Sequence, residues 1–113
     1  MSFSDVPTVS VDDVPADTAE AVLLDVREDD EWALGHAPGA LHIPLADIPA
    51  RAEEIDMDAE VYVICRQGGR SLRAVEYLNR IGYDAIFVDG GMAAWQKNAL
   101  PLVSEGDTPA KIY

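Results

Sequence analysis

The stretch VYVICRQGGRSLRAVEYL, residues 61–78, decides how the rest of the chain is read. Val61, Tyr62, Val63 and Ile64 form a short apolar run rich in β-branched side chains, the pattern of a buried strand. Further on, Ala74, Val75, Leu78 and Ile81 recur at the spacing of a core-facing helix stripe, which predicts a helix over 72–81. Between strand and helix lie the only cysteine, Cys65, and then Arg66, Gln67, Gly68, Gly69, Arg70 and Ser71.

A strand that ends in a cysteine and turns through two glycines into a helix is an anion cradle with a nucleophile at its base. Helix N-termini carry unpaired backbone N–H groups and partial positive charge, so they bind anions and favour a thiolate. Gly68 and Gly69 permit backbone angles that turn several amides toward the sulfur. Arg66 and Arg70 add fixed charge and forked donors suited to oxyanions. Ser71 is expected to cap the helix as well as line the loop. The alternative for a lone cysteine, a small buried hydrophobe, accounts for neither the glycines nor the arginines.

At these residues the chain resembles the rhodanese (sulfurtransferase) family, whose cysteine loop carries a persulfide. Three further segments extend the resemblance: LLDVRE at 23–28, GHAPGALHIP at 35–44 and VDGGMAAW at 88–95. The four motifs occur in the expected order over most of the chain. The resemblance implies a five-stranded parallel central sheet with helices on both faces. It also implies that Asp25 and Arg27 belong to a polar network supporting the cysteine loop. On the residues alone, a turn role for Asp25 and a surface ion pair for Arg27 stand equally open. His36 is read as supporting, through a hydrogen bond that steadies a tight turn at Pro38 and Gly39. A general-base role is not needed where amides and arginines already hold a thiolate.

Composition bounds these readings. The chain of 113 residues suits one domain with a core of its own. A single cysteine leaves no intrachain disulfide, and residues 1–20 lack a basic segment leading into an apolar one, so a cytoplasmic protein is expected. No apolar run approaches the ~20 residues that cross a bilayer. The net charge of −13 argues against nucleic acid and anionic membrane as partners. Arg66, Arg70 and Arg73 are three of eight basic residues, while the acids crowd at 12–13, 28–31 and 53–60. A positive island on an acidic body follows, with solubility or adaptation to salt as the simpler reason for the size of the excess.

The remaining elements fall into place around this centre. Residues 1–8 read as a frayed, flexible start, 9–101 as the domain and 102–113 as a loose C-terminal tail. Val9 and Val11 suggest a short edge strand, 15–19 a helical turn, and Val22 to Leu24 a buried strand ending at Asp25. A short helix is expected over 28–34 with Trp32 on its buried side and Gly35 as its cap. Leu41 to Ile43 form a third strand, and 45–55 one helix with Pro49 near its start. Gly82 is placed for a left-handed cap, 85–88 for the fifth strand, and 92–97 for the last helix, anchored by Trp95. Family members often carry a glycine after that helix; here Asn98 can take its backbone role. Two histidines and one cysteine at these spacings make no metal site, and no cofactor is expected.

The chemistry implied is sulfur transfer. Thiosulfate or a similar sulfane donor gives its outer sulfur to Cys65, and cyanide or a thiol accepts it. Two other readings compete. One is a sulfur-carrier or redox interaction module that serves a partner protein. The other is phosphatase or arsenate chemistry, which uses the same fold. Phosphatases of this fold resemble rhodaneses but have a loop one residue longer, whereas Cys65 to Arg70 spans six residues, the shorter loop. Arg73 is expected either to dock an acidic partner or to solvate the helix.

Overall fold

Alternation along the central strand sets the layers of the molecule. In the computed structural model, which describes residues 6–15 and 21–112, Val61, Val63 and Cys65 belong to one apolar cluster, Tyr62 and Ile64 to another. Successive side chains of a strand point to opposite faces, so both faces of this strand are covered. That is why its sequence is a continuous apolar run and not an alternating one.

Among the described residues the strands are β1 (Thr8–Ser10), β2 (Ala21–Asp25), β3 (Leu41–His42), β4 (Glu60–Ile64) and β5 (Asp84–Asp89). They form one sheet in the order β1-β5-β4-β2-β3, with every pairing parallel. The helices are α1 (Asp29–Leu34), α2 (Ile48–Arg51), α3 (Gly69–Arg80) and α4 (Gly91–Lys97). Ala74, Val75 and Leu78 of α3 pack with Ile43, Ile48 and Ile55 on one face of the sheet. Met92 and Trp95 of α4 pack on the other, with Val11 and Ala37. This is the α/β architecture the sequence predicts.

Several details differ from expectation, each for a local reason. The single helix expected over 45–55 is broken into a 3-10 turn (Leu45–Asp47), α2 and a second 3-10 turn (Ala52–Glu54). Pro49 has no N–H to bond the Leu45 carbonyl, so that carbonyl is taken one residue earlier, by the amide of Ile48. Helix α3 begins at Gly69 and stops at Arg80, which leaves Ile81 past its end and 39% exposed instead of on the core stripe. Gly82 does take positive φ, +103°, and its amide donates to the Asn79 carbonyl. At the end of α4 the left-handed position falls on Ala99, at φ 57°, and not on Asn98.

Both chain ends are better placed than their composition suggests. Residues 1–5 and 16–20, the latter including all but the first residue of the expected helical turn, lie outside the described residues. Val6, however, is buried in the first cluster, and Phe87 N–H donates to the Pro7 carbonyl. The supposed loose tail is instead a strap over α1. Val103 pairs with His36 in an antiparallel bridge, and the amides of Glu105 and Lys111 donate to the carbonyls of Ala33 and Leu34. Gly35 ends α1 in extended backbone (φ 177°), so it is not a left-handed cap. A Cβ there would collide with the Lys111 backbone. The glycine makes room for the strap.

Candidate active site

In a parallel sheet all strands end on the same side, so loops distant in sequence become neighbours. Asp25 and Ile64 are paired in register, and the segments that follow them, 26–31 and 65–71, therefore lie side by side. Cys65 stands one residue beyond β4 at this edge, 1% exposed.

The loop around Cys65 is held from beneath by α4. The carbonyls of Cys65 and Arg66 accept hydrogen bonds from the amides of Met92 and Ala93, at 2.8 and 2.9 Å. Two of the otherwise orphaned donors of a helix N-terminus are thereby satisfied. Gly91 permits this approach, because a Cβ at that position would strike both carbonyls, and its φ is +58°. Fixing those carbonyls downward leaves the loop to turn upward around the sulfur. Gly68, at φ +156°, makes the turn into α3, and a Cβ there would press on the Phe87 ring at 3.0 Å. Gly69 has open space where its side chain would be.

Ser71 is the third residue of α3 and fully buried, so it is not the helix cap; Gly68 occupies that position. The thiol itself stands in for a capping side chain. The amide of Ser71 donates to Cys65 Sγ at 3.4 Å, as N-cap oxygens accept from that position in other helices. The Cys65 thiol donates to Ser71 Oγ at 3.3 Å, and that hydroxyl donates to the Gly68 carbonyl at 3.0 Å. Above the sulfur lies a cleft of about 390 Å³ lined by the loop from Cys65 to Arg70 together with Leu45 and Arg73.

Two ion pairs stand beside this loop, one within the end of β2 and one that reaches the loop from α1. Asp25 and Arg27 are both fully buried and joined at 2.7 Å, with Arg27 Nε donating to both carboxylate oxygens. The same guanidinium donates to the carbonyls of Gly35 and Glu31, at 2.7 and 3.3 Å, and so fixes α1 against the sheet. The surface reading of Arg27 is therefore excluded. From α1 the Glu31 carboxylate reaches across to Arg70 in a two-point contact, at 2.5 and 3.0 Å, while also accepting from the Glu28 amide. The Arg70 hydrogen bond holds the Glu31 carboxyl below the usual carboxylate range, with burial opposing it. Glu31 in turn raises the Arg70 guanidinium further.

The structure thus brings together Cys65, Arg66, Gln67, Gly68, Gly69, Arg70 and Ser71, with Asp25 and Arg27 behind them. His36 is buried, but its Nδ1 bonds the Trp32 carbonyl at 2.7 Å, and not the Pro38 turn. Trp32 is only half-buried; its indole stacks on His36 and His42 at 3.5 and 4.6 Å between ring centroids. Among the described residues no three His, Cys, Asp or Glu side chains gather as metal ligands. Sequence reasoning missed Glu31, placing it among acids remote from the site. The signal available was topological: the residues after two adjacent parallel strands must meet. Gly91 stands in the sequence only as part of the motif at 88–95, and its position directly beneath the cysteine has no local signal.

Comparison with known proteins agrees with this geometry. The family described as the rhodanese-like domain matches residues 11–98. The protein YtwF of Bacillus subtilis is 39% identical over 101 residues, which cover 89% of this chain and 98% of that protein. A protein of Allochromatium vinosum named sulfurtransferase is 41% identical over 90 residues, 79% of this chain and 84% of its own. A crystal structure of a rhodanese-related protein from Thermoplasma volcanium superposes with a TM-score of 0.80 at 29% identity, over 86% of this chain and 97% of that one.

Proposed function

The chain belongs to the rhodanese-like family, and on that premise we propose that it is a sulfurtransferase working through a persulfide on Cys65. The observation that carries this reading is the seat of the sulfur. Cys65 Sγ lies at the floor of an arginine-lined cleft, in the position of a helix cap, with the Ser71 amide directed at it. A relative named sulfurtransferase supports the reaction class.

The Cys65 thiolate attacks the outer sulfur of thiosulfate. A sulfur–sulfur bond forms to Cys65 as the one to the sulfonate sulfur breaks, and sulfite departs with the electron pair. The product is a Cys65 persulfide anion. Backbone amides of the loop, preorganised by the ties to α4, stabilise that anion as an oxyanion hole stabilises an oxygen. Arg66 and Arg70 orient the donor. Arg70 works with part of its donor set engaged by Glu31, so its remaining N–H groups do the orienting. In the second half, cyanide or a thiol attacks the terminal sulfur and returns Cys65 as thiolate.

The test is transfer of sulfur from thiosulfate to cyanide by wild type and Cys65→Ser, with intact mass recorded before cyanide is added. A one-sulfur mass gain and thiocyanate formation are expected for wild type, and neither for the variant. A persulfide without turnover would redirect the assignment to a sulfur carrier that requires a partner protein. Folded wild type giving neither signal would overturn the sulfur reading.

A further inference from the structure

We propose that Arg73 is a donor-recognition residue that selects doubly charged sulfur donors by holding the leaving sulfite at the mouth of the cleft. The inference deepens the sulfurtransferase reading and rests on it for the reaction, though not for the binding event. Three observations carry it.

The first is position. Cys65 is the floor of the cleft and is almost wholly buried, whereas Arg73 lines the same cleft and is exposed. Attack on a sulfur–sulfur bond proceeds in line, so the departing group lies on the side of the outer sulfur away from Cys65. In thiosulfate that group is the sulfonate, and the open direction is toward the mouth. Charge grows on it as the bond breaks, and an arginine there meets the charge where it develops.

The second is charge balance. Arg70, three residues earlier on α3, is matched by Glu31. Arg73 has no ion-pair partner among the described residues, and Glu76, three residues on, does not pair with it. Against a chain of net charge −13, a cation left unmatched within a cleft is the feature that would draw in an anion.

The third is that the helix is built against its own stability here. The first turn of α3 contains no acidic residue, although carboxylates are favoured near a helix N-terminus and cations are not. Arg73 stands three residues beyond Arg70, and with Arg70 matched by Glu31 the charge left over at this end of the helix is that of Arg73. Rules of local stability are broken in natural proteins mainly at functional sites. An anionic ligand in the cleft would supply the counter-charge that Arg73 lacks.

The experiment separates binding from chemistry. Thiosulfate is titrated calorimetrically into Cys65→Ser protein, with and without Arg73→Gln. Loss of Arg73 should weaken binding about tenfold, and Arg73→Lys should recover much of it. In protein with Cys65 intact, kcat/KM is compared for thiosulfate, which releases doubly charged sulfite, and for an arenethiosulfonate, which releases a singly charged sulfinate. Arg73→Gln should lower the first about tenfold and the second less than threefold. Unchanged thiosulfate affinity in the Cys65→Ser background overturns the proposal, as does an equal loss for both donors. If Arg73-dependent binding is found but wild type takes up no sulfur, the anion site stands and the assigned reaction falls.

Discussion

The floor and the rim of the cleft are built on opposite principles. At the floor, Cys65 and the residues behind the lining, Asp25, Arg27 and Gly91, are buried, and their polar groups are tied to named partners: Asp25 to Arg27, Arg27 to two carbonyls, and the Cys65 carbonyl to the Met92 amide. At the rim, Arg66, Gly69 and Arg73 are exposed, and the Arg70 and Glu31 side chains are partly exposed, at 32% and 15%. A buried ion pair is expensive to form and more so to break, because a lone charge in the interior has no water to turn to. A partly exposed pair is worth little to stability. The floor therefore fixes geometry, and the less constrained rim is where the proposed donor selection would act.

Breaking the floor should have the largest effect. Asp25→Ala strands the Arg27 guanidinium in the interior and should cost about 3–5 kcal/mol in urea denaturation. A loss below about 1 kcal/mol would mean that water reaches Arg27 and that the floor is not sealed. Next come the glycines, which divide the two regions sharply. Gly91→Ala forces a methyl group into the carbonyls of Cys65 and Arg66 at a left-handed residue and should cost about 2–4 kcal/mol. Gly69→Ala, at the rim with nothing nearby, should be neutral or stabilising by up to about 0.5 kcal/mol. Thermal melts of the two variants side by side would decide it; equal losses would erase the distinction between floor and rim.

The smallest loss of stability belongs to Glu31→Gln, no more than about 1 kcal/mol, and its pH dependence identifies it. The Glu31 carboxyl is lowered in the folded state from its ordinary 4.5. Its contribution is therefore complete above that ordinary value and is lost as pH falls through the lowered one. The stability gap between wild type and Glu31→Gln should be constant near neutrality and close on acidification below 4.5. A gap that persists at low pH would mean that the carboxylate charge is not what Arg70 responds to.

The parts that could be read from sequence are those where one physical cause acts locally. β4 and β5 announce themselves because burial on both faces demands unbroken apolar runs. The cysteine loop does so because glycines and arginines have few other reasons to stand between a strand and a helix. What escaped reading depends on contacts between distant segments. Glu31 looks like one acid in a run of four until β2 and β4 are paired. Gly35 looks like a helix cap until Lys111 is laid across it. Residues 102–112 look polar and unpatterned because their hold on α1 is largely through backbone hydrogen bonds, which leave little mark on composition. Ala99 adopts the left-handed turn that Asn98 suits better by preference, since the closure of α4 onto the chain that follows sets where the turn must fall.

Cys65 is the single thiol in these 113 residues, which bears on the fate of the proposed persulfide. Many sulfur-handling sites keep a second thiol within reach, which discharges a persulfide into an internal disulfide. A sulfur carried on Cys65, as proposed above, would have no such drain within these residues. On the proposed reading, its residence there would be set by how often an acceptor arrives at the cleft.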